Sequence, residues 1–136
     1  MMKKIFLLAI IISSVSFFSF QQKERFNLKE SIERGKDIYI AQCLTCHLEL
    51  GDGIEDLYPP LAKSDYLMAD KKRSIQQVLY GASGEMKVKG KIYNGTMSAF
   101  DLTDQQASDV LNYIRNSFDN KGSAITPEEV KAARKK

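Results

Sequence analysis

The sequence holds a single histidine and two cysteines among 136 residues, and this scarcity is its most informative feature. A structural zinc needs four ligands, usually with a second Cys or His pair roughly 12 to 20 residues from the first. Cys43, Cys46 and His47 are the whole supply, so a zinc site fails on ligand count. Charge of one sign is also lacking. Twenty basic residues against 17 acidic ones leave a net +3, whereas a nucleic-acid binder needs a strongly basic face. Internal repeats and low-complexity tracts are absent, and alternating strand-like pattern is confined to one short stretch. The longest apolar run, residues 5–20, has 16 residues, short of the roughly 20 that span a bilayer.

That run follows Lys3 and Lys4, so residues 1–20 read as a secretory signal with a basic start and an apolar middle. The small pair Ser14 and Ser16 places cleavage after Ser16 or a few residues later; an uncleaved anchor is the alternative. No cysteine near the end of the segment could accept a lipid. The expectation is export to the periplasm, without stable membrane insertion unless the segment is retained. Once residues 1–16 are removed, 18 basic residues face 17 acidic ones, a net +1.

Residues 21–27 read as a short linker, 28–120 as one domain and 121–136 as a tail with a short helix. Leu28, Ile32, Gly35 and Tyr39 recur at helical spacing to about Gln42, with Asn27 as cap and Glu30 completing a capping box. Gly51, Gly53, Pro59 and Pro60 mark a loop. A second helical region begins at Asp65, carries the stripe Ile75, Val78 and Leu79, and stops at Gly81. The glycine-rich stretch after it predicts a loop with a short hairpin turning at Lys89-Gly90, with Met86, Val88 and Ile92 on one side. Thr103 and Gln106 form a capping box for a helix whose stripe is Ala107, Val110, Leu111, Ile114 and Phe118. Thr126, Pro127 and Glu129 start a terminal helix packed on the body. The fold class is therefore all-α: three main helices, short helices and long loops.

The chemistry sits in "AQCLTCHLELGDG", residues 41–53. A thiol–disulfide enzyme would place Cys43 at a helix N-terminus, where a thiolate is stabilised. Here the pair follows a helix, and the βαβ setting of a thioredoxin-like motif is missing. Covalent haem fits better. Two thiols at i and i+3 on a helical turn reach the two vinyl groups of a porphyrin, and the next residue, His47, falls beneath the iron as axial ligand. C-x-x-C-H in an exported chain is a strong signal for this attachment. With no second histidine, the sixth position is left to methionine, lysine, water or nothing. Met97, in the glycine-flanked loop "NGTMSAF", is the preferred ligand. Met86 in the hairpin is the second choice, and Met68 sits at a helix edge where methionine usually fills core.

These residues resemble the class I c-type cytochromes, the small monohaem carriers, from about residue 28 to residue 118. Gly35 and Tyr39 stand eight and four residues before Cys43, as in that family's first helix, and Val110 and Tyr113 match the last-helix positions that cross it. Gly51 and Gly53 fit the glycines after the haem motif. The resemblance implies that the Pro59 carbonyl accepts the other ring N–H of His47, which fixes the ring's orientation, and that Leu61 packs on the haem. It also implies that "GKIYNGTMSAF" delivers the methionine, with Tyr93 and Asn94 bonding a propionate or steadying the sulfur. Two departures stand out: Ser98 follows Met97 where the family often has proline, and Leu48 and Leu50 occupy positions where small or polar residues are common.

The expected function is that of a periplasmic one-electron carrier with one haem c, not an enzyme. Redox partner proteins would dock at the exposed haem edge, with Lys63, residues 71–73 and the 87–91 lysines around it. A cytochrome subunit bound to a periplasmic dehydrogenase or reductase is one alternative. A gas-binding haem sensor and a thiol–disulfide oxidoreductase are others.

Overall fold

The computed structural model describes residues 25–134. The signal predicted over residues 1–20 and most of the 21–27 linker lie outside the described residues. No helix among those described is long and apolar enough to cross a membrane. Among the described residues, six helices and one hairpin follow in order: α1 Leu28–Gln42, α2 Leu44–His47, α3 Asp65–Ala69, α4 Lys71–Tyr80, β1 Met86–Val88, β2 Lys91–Tyr93, α5 Asp104–Asn116 and α6 Pro127–Ala133. Among the described residues the architecture is mostly helical, with one two-stranded sheet, as the all-α expectation requires.

Helices α1 and α5 form the main packing unit. Gly35 lies at their crossing, where a Cβ would meet the Asp109 carbonyl and the Tyr113 side chain, while Val110 faces the interior. A polar seam runs beside it. Asp109, almost fully buried, accepts from Ser31 Oγ (2.6 Å), Arg34 Nε (2.7 Å) and Gln105 Nε2 (2.9 Å). Asn112 holds the main chain of Ile125 from both sides, accepting from its N–H and donating to its carbonyl, each at 2.8 Å. This brings the tail against the core, where Ile125 and Val130 are fully buried with Tyr39, Ile75, Val110 and Leu111.

The caps at Thr103 and Thr126 form complete capping boxes. At α1 the cap differs from the expectation. Asn27 Oδ1 accepts from the N–H groups of Lys29 and Glu30, but Glu30 Oε1 bonds the Asn27 side-chain amide rather than its backbone N–H. The second helical region is also broken in two. Asp70 turns extended and caps α4 by accepting from Arg73 N at 3.0 Å; an aspartate offers the backbone this local alternative to continued helix.

The hairpin turns at Lys89-Gly90 as expected, both with positive φ, but its faces are not those predicted. Val88 pairs with Lys91 and Met86 with Tyr93. A two-residue turn therefore puts even positions of β1 beside odd positions of β2. Val88 and Tyr93 are buried, and Ile92 points to the opposite, exposed side. Phe118 is likewise not a continuation of the α5 stripe. The helix ends at Asn116, Phe118 and Asp119 adopt left-handed φ, and Asn120 Nδ2 donates to the Ile114 carbonyl. The Phe118 ring then turns back onto Tyr39, 5.3 Å between centroids, and Tyr113, 5.6 Å.

Candidate haem site

The site begins where α1 ends. Cys43 caps α1 through its N–H to the Tyr39 carbonyl (2.8 Å), and the single turn α2 then carries Cys46 and His47. The chain leaves by Leu48, with φ +62°, and Tyr39 Oη donates to its carbonyl at 2.7 Å. Gly53 folds the loop back: its N–H reaches the His47 carbonyl at 3.1 Å, and its φ of +68° is in the region that favours glycine. The returning segment places the Pro59 carbonyl 3.2 Å from His47 Nδ1. A proton on Nδ1 makes that contact a hydrogen bond and leaves the Nε2 lone pair as the imidazole's donor atom.

The 95–102 loop supplies another part of the lining. Met97 and Ala82 exchange backbone hydrogen bonds of 2.8 and 3.0 Å, and Gly81 lies so close beneath that a Cβ there would sit 2.4 Å from the Met97 carbonyl.

Cys43, Cys46, His47 and Met97 all line one cavity of about 300 Å³. Pro59, Leu61 and Tyr93 line it as well; Asn94 does not, and its side chain is exposed. Met86 also faces the cavity, so burial alone does not separate it from Met97. Met68 does not, and packs instead near Gly122 and the core. The walls are mainly apolar, with Ile38, Leu67, Val78, Phe100 and Leu111 among them.

These residues fit a covalently held haem. Two unbridged thiols and an imidazole with one nitrogen occupied by a carbonyl stand on one wall of an apolar cavity, and a thioether stands in the same cavity. Burial pushes His47 below its ordinary pKa, against the smaller opposite effect of the Pro59 carbonyl, so the ring is neutral and able to ligate. Burial, reinforced by Cys46, pushes the Cys43 thiol up to about 11. An attacking thiol of a disulfide enzyme needs the reverse.

Several lining residues escaped the sequence reading. Tyr58, beside Pro59, has its hydroxyl against Cys46, which raises its pKa. Ser74, Gln77 and Val78 face the cavity from α4 at i, i+3 and i+4, a spacing that marks one helical face. Gln77 Nε2 donates to the Tyr66 hydroxyl at 3.2 Å. The basic residues expected around the haem edge are partly engaged within the chain. Lys63 pairs with Asp119, Lys71 with Glu129, and Lys91 with Glu55 and Asp56, while Arg73 lies over the Tyr66 ring.

The cytochrome c family model matches residues 32–118. Cytochrome c-552 of Thermus thermophilus is 41% identical over 112 residues, covering 75% of this chain and 85% of that protein. The cytochrome c subunit of the quinone alcohol dehydrogenase of Gluconacetobacter polyoxogenes is 30% identical over 106 residues, 71% of this chain but 21% of that subunit. The gluconate 2-dehydrogenase cytochrome c subunit of Pantoea cypripedii is 33% identical over 108 residues, 76% of this chain and 24% of that subunit.

Proposed function

Because the chain belongs to the cytochrome c family, which implies haem c, we propose that it is an exported monohaem one-electron carrier with His47 and Met97 as axial ligands. The observation that carries this reading is the shared cavity, which gathers Cys43, Cys46 and His47 with Met97 from a distant segment of the chain. The two thiols would hold the group covalently, and Tyr93 and Leu61 would pack against it. Once bound, the group supplies an iron that gains or loses one electron. The chain's own residues set the terms of that exchange. The Pro59 carbonyl orients the His47 ring. With the group bound, the mainly apolar walls would disfavour added positive charge, and His47 and Met97 as its ligands would raise the potential. The leader-like pattern of residues 1–20 supports a periplasmic location.

Potentiometric titration of the holoprotein tests the assignment. One single-electron wave at clearly positive potential is expected, lost in Met97→Ala and kept in Met86→Ala. A low potential indifferent to Met97 would remove that residue as a ligand and turn attention to Met86 or an open site.

A second reading, a cytochrome subunit held within a dehydrogenase, is supported by the dehydrogenase subunits among the relatives. Exposed Leu50, Leu57 and Ile92 suit a lasting interface better than a charged one. Co-purification with a dehydrogenase through gel filtration at high salt would favour it; elution as a lone 15-kDa-class species would favour the carrier.

A further inference from the structure

The 95–102 loop is secured at three places, and the third lies outside the matched family region. Met97 exchanges hydrogen bonds with Ala82, and the Phe100 N–H donates to the Val78 carbonyl at 3.2 Å. The third hold comes from Arg134, past residue 118 where the family match ends. Its Nη2 donates to the Leu102 carbonyl at 2.7 Å and its Nε to Asp104 Oδ1 at 2.6 Å. Leu102 itself lines the cavity, and Asp104 opens α5.

Arg134 is in turn firmly mounted. Val130 and Ala133 of α6 are buried, Gln76 Nε2 donates to the Ala133 carbonyl at 3.1 Å, and Lys71 pairs with Glu129 at 3.1 Å. Tyr80, at the end of α4, lies beside the guanidinium. One side chain thus ties the residue that ends the methionine loop and the first residue of α5 to the C-terminal helix. A planar fork with several donors suits this bridging, which a lysine's point charge satisfies only in part.

We propose that Arg134 is a positioning residue for Met97: by holding Leu102 and Asp104 to the C-terminal helix, it sets how readily the 95–102 loop withdraws its thioether from the iron. The inference rests on the reading of Met97 as axial ligand. Losing Arg134 leaves the cavity's lining intact and frees one end of the loop, so a competing ligand reaches the sixth position more easily.

The test is imidazole titration of the ferric holoprotein, followed by its absorption spectrum, in wild type, Arg134→Ala, Arg134→Lys, Met97→Ala and Ser31→Ala. Arg134→Ala should lower the apparent imidazole Kd about tenfold, the scale of one charge-assisted hydrogen bond, with Arg134→Lys in between. Amide exchange at Met97 and Ala82 should quicken in the same order. Ser31→Ala, in the seam between α1 and α5, should lower the melting temperature and leave the imidazole Kd unchanged. If Arg134→Ala binds imidazole as wild type does while Met97→Ala binds it more tightly, the positioning role is wrong and the ligation stands. If Ser31→Ala matches Arg134→Ala, general stability explains the effect and the positioning role is again wrong. If Met97→Ala binds imidazole as wild type does, the ligation itself is wrong and this inference goes with it.

Discussion

Gly35 and Asp109 meet backbone to backbone: a Cβ on Gly35 would lie 1.9 Å from the Asp109 carbonyl oxygen and 2.5 Å from its carbon. Neither atom can turn aside as a flexible side chain could, so any larger residue forces α1 and α5 apart. Gly35→Ala should cost about 3 kcal/mol, the upper range for overpacking a core. Denaturant titration reads this as a lowered midpoint at unchanged slope. A loss under about 0.5 kcal/mol would mean the crossing yields more easily than a close-packed core does.

Gly53 and Gly90 both have positive φ but differ in surroundings. A Cβ on Gly53 would lie 2.2 Å from the Tyr58 carbonyl and 2.8 Å from that of Pro59, whereas Gly90 has open space around it. Gly53→Ala should therefore cost about 3 kcal/mol, combining a clash with left-handed strain. It should also raise the haem potential, because the displaced Pro59 carbonyl no longer strengthens His47 as a donor. Gly90→Ala should cost about 1 kcal/mol and leave the potential alone. Paired melts and potentiometry separate the two.

Arg34 is half exposed while its partner Asp109 is buried. Arg34→Ala leaves the carboxylate with Ser31 and Gln105 as donors but without a cation. A loss of about 2 kcal/mol is expected, the range for hydrogen bonds to charged groups, and it should persist in 1 M salt because buried partners are weakly screened. Equilibrium unfolding at low and high salt checks both statements.

Acid sensitivity should trace partly to Glu129. Burial pulls its pKa upward, but the Thr126 N–H and the Lys71 ammonium outweigh burial and hold the carboxyl below its ordinary value. A folded pKa below the unfolded one means that unfolding takes up a proton. The stabilisation is present above about pH 4.3, the ordinary value for a glutamate, and fades as pH falls through the folded value. Glu129→Gln keeps the capping geometry and loses the ion pair. It should be less stable than wild type by about 0.5 kcal/mol at pH 7, as half-exposed pairs are, with the gap closing by pH 3. Unfolding curves of both proteins at the two pH values measure it.

Much of the fold was legible because its signals are local. The caps at Asn27, Thr103 and Thr126 are read within four residues, and the α5 stripe from Ala107 to Ile114 repeats on a helical period. The errors arose where a local pattern had two outcomes. Asp70 suits a helix interior poorly and a cap well, and in the structure it turns extended and caps α4. Ile92 and Tyr93 are both good strand residues, and the two-residue turn decided which one is buried. Phe118 fits the helical period, yet the aromatic pair Tyr39 and Tyr113 draws it off the helix.

What the sequence by itself determined is the chemistry: two thiols and the lone histidine on one turn, with a methionine in a glycine-flanked loop far along the chain. Covalent spacing along a helical turn is a local quantity, so it needs no tertiary information. Tertiary structure decided which distant groups meet. It placed Tyr58, Gln77 and Phe100 around the cavity, paired Lys91 with Glu55 and Asp56, and brought Arg134 back to Leu102. Those meetings follow from how helices cross and bury their faces, and no spacing within a short stretch of sequence encodes them.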